Sequence, residues 1–160
     1  MKPLASIPFT SRGGFVEAAL TALAAARETL VLYDRDFRDW PLDRPSAAES
    51  IARLLGGNHA ARLRLMVADP AWLERHAPRF LQLRQRFSQP IACRQVPASL
   101  APTEGVLIAD DRHVLRRAHY GSFRGRLSLE QPAEAEPLVE KYRALWDEST
   151  PCLHGTTLGL

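Results

Sequence analysis

Four short apolar runs, Thr29–Tyr33, Arg62–Val67, Ile91–Val96 and Gly105–Ala109, constrain the fold of this chain more than any other feature. Each is too short for a stable helix and is built from residues that favour extended backbone. The first three alternate with longer stretches whose apolar residues recur at helical spacing. Strands joined through helices require a sheet with helices packed on its faces, because each crossover must return the chain to the same edge.

The helical stretches carry their own boundaries. From Gly14 to Glu28, Phe15, Ala18, Ala19, Leu20, Leu23 and Ala26 form one face, with Ser11 in position to cap it. Ser46 and Glu49 read as a capping box opening a helix to Leu55, and Gly56-Gly57 stops it. Pro70 to Phe87 has a stripe through Trp72, Leu73, His76, Phe80, Leu83 and Phe87, with Pro78 set to kink or split it. Between Tyr33 and Ser46, Trp40-Pro41 and Arg44-Pro45 predict an ordered polar loop in which Trp40 lines a cleft or meets a partner.

Beyond Ala109 the pattern changes. His113–Ala118 and Arg124–Leu129, separated by Tyr120-Gly121-Ser122, read as a hairpin, and Pro132–Glu148 as a closing helix with Leu138, Tyr142, Leu145 and Trp146 buried. The expected fold class is α/β, a three-layer sandwich with a mixed, mainly parallel sheet flanked by helices. Residues 1–13 are expected to be an N-terminal extension, 14–150 the domain, and 151–160 a C-terminal tail.

A chain of 160 residues with 46% hydrophobic and 24% charged residues suits one compact domain. No apolar run approaches the roughly 20 residues needed to span a bilayer, and the N-terminus lacks the apolar core of a signal peptide, so a cytoplasmic address is expected. Cys93 and Cys152 have neither metal-ligand spacing nor a histidine pair nearby; Cys93 reads as a buried small hydrophobe. Of 21 basic residues only Lys2 and Lys141 are lysine. Arginine is the better fork for carboxylate and phosphate, but a GC-rich coding bias produces the same excess, so only clustering carries weight.

From Gly14 to Thr150 the pattern resembles one half of the phospholipase D-like superfamily. The likeness is carried by Gly105-Val106-Leu107-Ile108-Ala109-Asp110, the His113–Arg117 strand, the Arg124–Leu129 strand, and Tyr142-Arg143-Ala144-Leu145-Trp146-Asp147-Glu148-Ser149 in the closing helix. It extends to the first helix and Leu30-Val31-Leu32-Tyr33. Active members of that superfamily carry His-x-Lys-x-x-x-x-Asp, in which histidine attacks phosphorus and lysine steadies the phosphate oxygens, two halves meeting at one site. With Asp110 on the family aspartate, Thr103 stands at the histidine position and Gly105 at the lysine position; with Asp111 there, the residues are Glu104 and Val106. The resemblance therefore implies a degenerate bacterial domain without the family's phosphodiesterase chemistry. It also implies a homodimer, since the chain supplies one half and has no internal repeat.

The candidate ligand-binding residues are Asp34, Arg35, Asp69 and Asp110, the acids each following a strand where an open α/β sheet binds its ligands. Asp69 also suits a capping role before Pro70. The candidate basic patch is Arg112, Arg116, Arg117, Arg124 and Arg126, which would meet a phosphate or nucleic acid, or else charge an edge strand against pairing. His76 reads as a core or boundary residue, and Trp72 and Trp146 as core anchors. No catalytic residue, metal ligand or cofactor site is indicated, and a Mg²⁺ site lacks any motif. The function implied is noncatalytic binding or regulation through an anionic small molecule or a protein; the alternatives are a homodimeric phosphodiesterase-like hydrolase and a nucleic-acid-binding protein.

Overall fold

The computed structural model describes residues 5–154. In chain order the elements are β1 (Ala5–Phe9), α1 (Arg12–Ala25), β2 (Thr29–Asp34), α2 (Pro45–Gly57), β3 (Arg62–Val67), α3 (Ala71–His76) and α4 (Pro78–Arg86). They continue with β4 (Ile91–Gln95), β5 (Gly105–Ala109), β6 (His113–Arg117), β7 (Gly125–Leu129), α5 (Pro132–Asp147) and β8 (Thr150–Pro151). The strands form one mixed sheet in the order β1-β7-β6-β5-β2-β3-β4-β8.

The α/β layered class expected from the sequence is present, but the sheet is mostly antiparallel. Only β2–β3 and β3–β4 pair in parallel; β5 runs antiparallel to β2, with Leu30 opposite Ala109 and Tyr33 opposite Val106. The reason lies in the connection after β4. Pro97–Thr103 contains only a three-residue 3-10 turn at Ala98–Leu100, too short for the helical crossover that a parallel return requires.

Two cores lie on opposite faces of the sheet. One packs α1 to α4 against inward residues such as Leu30, Leu32, Leu63, Leu65 and Leu107. The other is smaller and packs Ala135, Leu138, Tyr142, Leu145 and Trp146 of α5 against Tyr33, Met66, Val106, Ile108 and Val114. Alternation along each strand divides the side chains between these cores.

Several local expectations meet the structure directly. Ser11 caps α1, its Oγ accepting from Gly14 N at 3.0 Å. Pro78 splits the long helical stretch into α3 and α4, and Asp43 Oδ1 accepts from Arg79 N at 2.7 Å at the start of α4. The Ser46–Glu49 capping box does not form. Pro45 occupies the first turn of α2, so the cap moves two residues earlier, from Ser46 to Arg44, with no side-chain cap bond.

Both ends of the chain differ from the expected domain limits. Within the expected extension 1–13, Ala5–Phe9 pairs along its whole length with β7 and α1 begins at Arg12. Within the expected tail, Thr150–Pro151 pairs with β4, and Cys152 and Leu153 are buried; residues 1–4 and 155–160 lie outside the described residues. Trp40 lines a surface recess beside Arg12, Asp39 and Pro41, but nearly all of it belongs to the core. It is 3% exposed and meets Phe15 edge-on at 5.2 Å, because Phe37, Trp40 and Leu42 fold the loop onto α1. His76 is exposed and stacks on Trp72, which is itself only partly buried.

Cys93 and Cys152 are buried free thiols on adjacent segments, with Cys152 N donating to Cys93 O at 3.0 Å. Burial pushes the Cys93 thiol up to about 12 and the Cys152 thiol up to about 11. Raised values mean that the reactive thiolate is scarce below those pH values. Iodoacetamide at pH 8 is therefore expected to leave both cysteines unmodified in the native protein and to label both in urea, read by intact mass; rapid native labelling would show that the β4–β8 edge opens.

Candidate functional site

The carboxyl end of β2 feeds a ten-residue segment that folds back over the sheet edge, and its acids hold it there. Asp34 Oδ2 accepts from Asp36 N at 3.2 Å and Phe37 N at 2.9 Å, which stabilises a tight turn with Phe37 at φ 63°. Asp36 Oδ2 accepts from Tyr120 Oη at 2.7 Å, and this bond raises the Tyr120 phenol above its ordinary value. Asp39 Oδ2 accepts from Arg117 Nη2 at 3.0 Å.

Arg117 organises the other side of the site. It is 1% exposed, on the α1 face of β6, and also donates to the carbonyls of Tyr120 and Ser122. Its guanidinium lies over Phe15 at 5.2 Å and Phe123 at 4.8 Å. Around it, Asp34 Oδ1, Trp40 Nε1 and Arg117 Nη1 are buried together with no hydrogen bond of good geometry. Burial raises the Asp34 carboxyl, while the bonds from Phe37 and Asp36, the charge of Arg117 and the nearby Trp40 indole oppose that shift.

Gly105 closes this arrangement. A Cβ at Gly105 would stand 2.7 Å from Asp34 Oδ1 and 3.3 Å from Trp40 Cζ2. The position that the resemblance assigns to a lysine is thus occupied by the buried acid and the indole of neighbouring segments.

A cleft of about 390 Å³ opens above this network, lined by Arg35, Asp69, Pro102, Thr103, His119 and Tyr120 among others. Arg35 stacks over the Tyr120 ring at 4.9 Å and, among the described residues, has no carboxylate partner. His119 Nδ1 accepts from Gly121 N at 3.1 Å, fixing the ring at the rim. Beside the cleft, Glu104 accepts from Tyr142 Oη at 2.7 Å, Arg116 Nη2 at 2.8 Å and Lys141 Nζ at 3.0 Å. Burial raises its carboxyl, but these three bonds outweigh burial and hold it below the usual glutamate value.

The four ligand candidates do not converge. Arg35 and Asp69 line the cleft, and Asp34 is buried below it at 1% exposure. Asp69 Oδ1 also accepts from Ala71 N at 3.0 Å, a turn-capping role. Asp110 lies at the opposite end of the sheet, roughly 17 Å away by strand rise, because β5 is antiparallel to β2. There it accepts from the backbone N–H of Arg27, Glu28 and Thr29, holding the α1–β2 junction to the β5–β6 turn.

The five arginines are also dispersed. Arg116 and Arg126 are cross-strand partners, but Arg116 pairs with Glu104 at 2.8 Å and Arg126 donates to Ser6 Oγ at 2.7 Å. Arg112 faces Glu130 at 3.8 Å, Arg117 is buried, and Arg124 is exposed just before β7. The sequence marked Thr103 only at the family histidine position and His119 and Tyr120 only beside the basic hairpin, and it did not mark Asp36 or Asp39. The acidic spacing after β2 was their only visible signal, since Tyr120 and Arg117 reach it from a distant hairpin. Among the described residues no group of three or more His, Cys, Asp or Glu side chains is placed to hold a metal ion.

Gly105→Ala is expected to destabilise the protein by about 1–3 kcal/mol in urea unfolding, because the new methyl must displace a buried carboxylate and a packed indole. A change below about 0.5 kcal/mol would show that the Asp34 side chain moves aside freely.

No curated protein matches the chain by sequence. Among solved structures, Nuc from Salmonella typhimurium, described as a phospholipase D family member, superposes with a TM-score of 0.70 at 12% identity, covering 94% of this chain and 99% of that one. Phosphatidylserine synthase from Haemophilus influenzae Rd KW20 gives a TM-score of 0.65 at 16% identity over 98% of this chain and 41% of that one. TrmBL2, an archaeal chromatin protein described as having a novel mode of DNA binding, gives 0.67 at 12% identity over 92% and 54%. These likenesses establish the phospholipase D-like fold that the sequence resemblance implied. The family described as Domain of unknown function (DUF7931) matches residues 11–157, and the chain belongs to that family.

Proposed function

We propose that this chain is a noncatalytic phospholipase D-like binding module that holds a small anionic ligand in the cleft beside Arg35. The observation that carries the reading is the closure at Gly105, where Asp34 and Trp40 fill the space a family lysine would need. Thr103, at the family histidine position, lines the cleft but has neither an imidazole's nucleophilicity nor its acid–base range. Arg35 supplies an exposed guanidinium already stacked on Tyr120, a geometry suited to gripping a phosphate or carboxylate.

The rival partners have less support. The chromatin protein of similar fold binds DNA, but in this chain Arg112, Arg116 and Arg117 face acidic partners, which lowers the local field available to phosphates. A homodimer would be favoured by a contiguous apolar patch. Among the described residues the exposed large apolar side chains are Ile7 and Leu100, on β1 and on the linker before β5.

The test joins turnover to binding. With bis(p-nitrophenyl) phosphate the protein is expected to release no nitrophenol above the blank, while inorganic phosphate shifts the amide resonances of Arg35, Thr103 and His119. Arg35→Gln should weaken phosphate about tenfold, as expected for loss of one charge-assisted contact. Turnover that scales with protein and disappears in Asp34→Ala would establish the hydrolase reading instead, and phosphate shifts unchanged in Arg35→Gln would overturn the proposed cleft.

A further inference from the structure

A second recess lies on the α5 face of the sheet and shares no lining residue with the Arg35 cleft. A single helix covers only about two strands, given a helix diameter of roughly 10 Å and a strand spacing of about 4.8 Å. Helix α5 is the sole helix packed on this face among the described residues, so the surface of β2 and β3 beside it is only partly covered. The recess holds about 220 Å³. Its walls are apolar: Val31, Met66, Ile108, Val139 and Trp146.

The mouth has the opposite character. Arg62, Arg64 and Arg143 border it, with Asp111 as the acidic residue in the lining. All four are exposed. Arg143 is engaged by Glu140 one helical turn away, and Arg62 donates to the carbonyls of His59 and Ala61. Arg64 is different. Its guanidinium lies 5.0 Å from the centre of the Trp146 ring, which also forms part of the wall, and among the described residues it has no hydrogen-bond or carboxylate partner. Arg94, 4.4 Å from the centre of the same ring, is itself engaged, donating to Trp146 O at 2.9 Å.

The alternation of β3 sets which of its side chains reach this recess. Residues 62, 64 and 66 share the face toward α5; Met66 is buried there, while Arg62 and Arg64 take positions where the partly covered sheet would accept apolar side chains. We propose that this recess is a binding site for a small amphiphilic anion, a medium-chain or aryl carboxylate whose apolar body lies against Val31, Ile108 and Trp146 and whose carboxylate meets Arg64. The volume is below that of drug-sized pockets, which limits the ligand to a short chain or a single ring system. The excess of guanidinium over carboxylate at the mouth selects an anion rather than a neutral or cationic amphiphile.

The experiment uses the full chain, with octanoate, hexanoate and 1-octanol as probes and amide chemical shifts as the readout. Octanoate is expected to shift Val31, Arg64, Ile108 and Trp146 while leaving Arg35 and Thr103 unmoved, which separates this site from the first cleft. Affinity should fall about fourfold per methylene removed, so hexanoate should bind roughly fifteenfold more weakly than octanoate. Arg64→Gln should weaken octanoate roughly tenfold and leave 1-octanol unchanged, Arg64→Lys should restore part of the loss, and the spectra themselves report that each variant is folded. Equal binding of octanoate and 1-octanol, insensitivity to Arg64→Gln, or the absence of shifts at millimolar octanoate would overturn the proposal. So would a protein dimer dispersed by octanoate, which would assign the recess to a second copy.

Discussion

The buried guanidinium of Arg117 is the interaction on which the carboxyl end of the sheet depends. A charge taken out of water is tolerated only where the surroundings replace hydration, and here Asp39, two carbonyls and aromatic faces do so. Those partners come from α1, from the segment after β2 and from the loop between β6 and β7. One side chain therefore positions three segments that no regular hydrogen-bond ladder joins. The cleft above takes its shape from that junction, since Tyr120 reaches Asp36 and presents its ring to Arg35 only while the hairpin loop is held.

The same junction bears on the proposal that this chain lacks the phosphodiesterase chemistry of the phospholipase D-like superfamily. Gly105 allows β5 to run past Asp34 and Trp40 at a separation no side chain would permit, so the absence of lysine there is bound up with the packing beneath it. Reinstalling a lysine and a histidine would require the buried acid to move as well. Asp34, Trp40 and Arg117 bring buried polar atoms together at this point in an otherwise apolar core.

Periodicity made much of the fold legible. The limits of β2, β3 and β5, the Ser11 cap and the Pro78 break follow from local chemistry, and local chemistry is what a sequence displays. Strand direction is not local. The run Gly105–Ala109 looks the same whichever way it pairs, and Asp110 stood among the ligand candidates only because it follows a strand, with the direction of that strand left open. The helix-free linker before β5 was the signal for reversal, and it separates Asp110 from Asp34 by the length of β2. Trp40 was only partly legible for a related reason: it does line a recess, but polar neighbours concealed that Phe37, Trp40 and Leu42 point together into the core. Arg117 looked like surface charge because its partners, Asp39 and the aromatic rings, are brought to it only by the tertiary fold.

Replacing Arg117 with methionine and measuring urea unfolding tests this account most directly, because methionine keeps much of the length and apolar contact while removing the charge and its donors. The expected loss is about 3–5 kcal/mol, the range for breaking one side of a buried ion pair, together with loss of protection of the Phe37 and Tyr120 amides in hydrogen exchange. A stable variant, within about 1 kcal/mol of the parent and with those amides still protected, would contradict the claim that this guanidinium holds the site together.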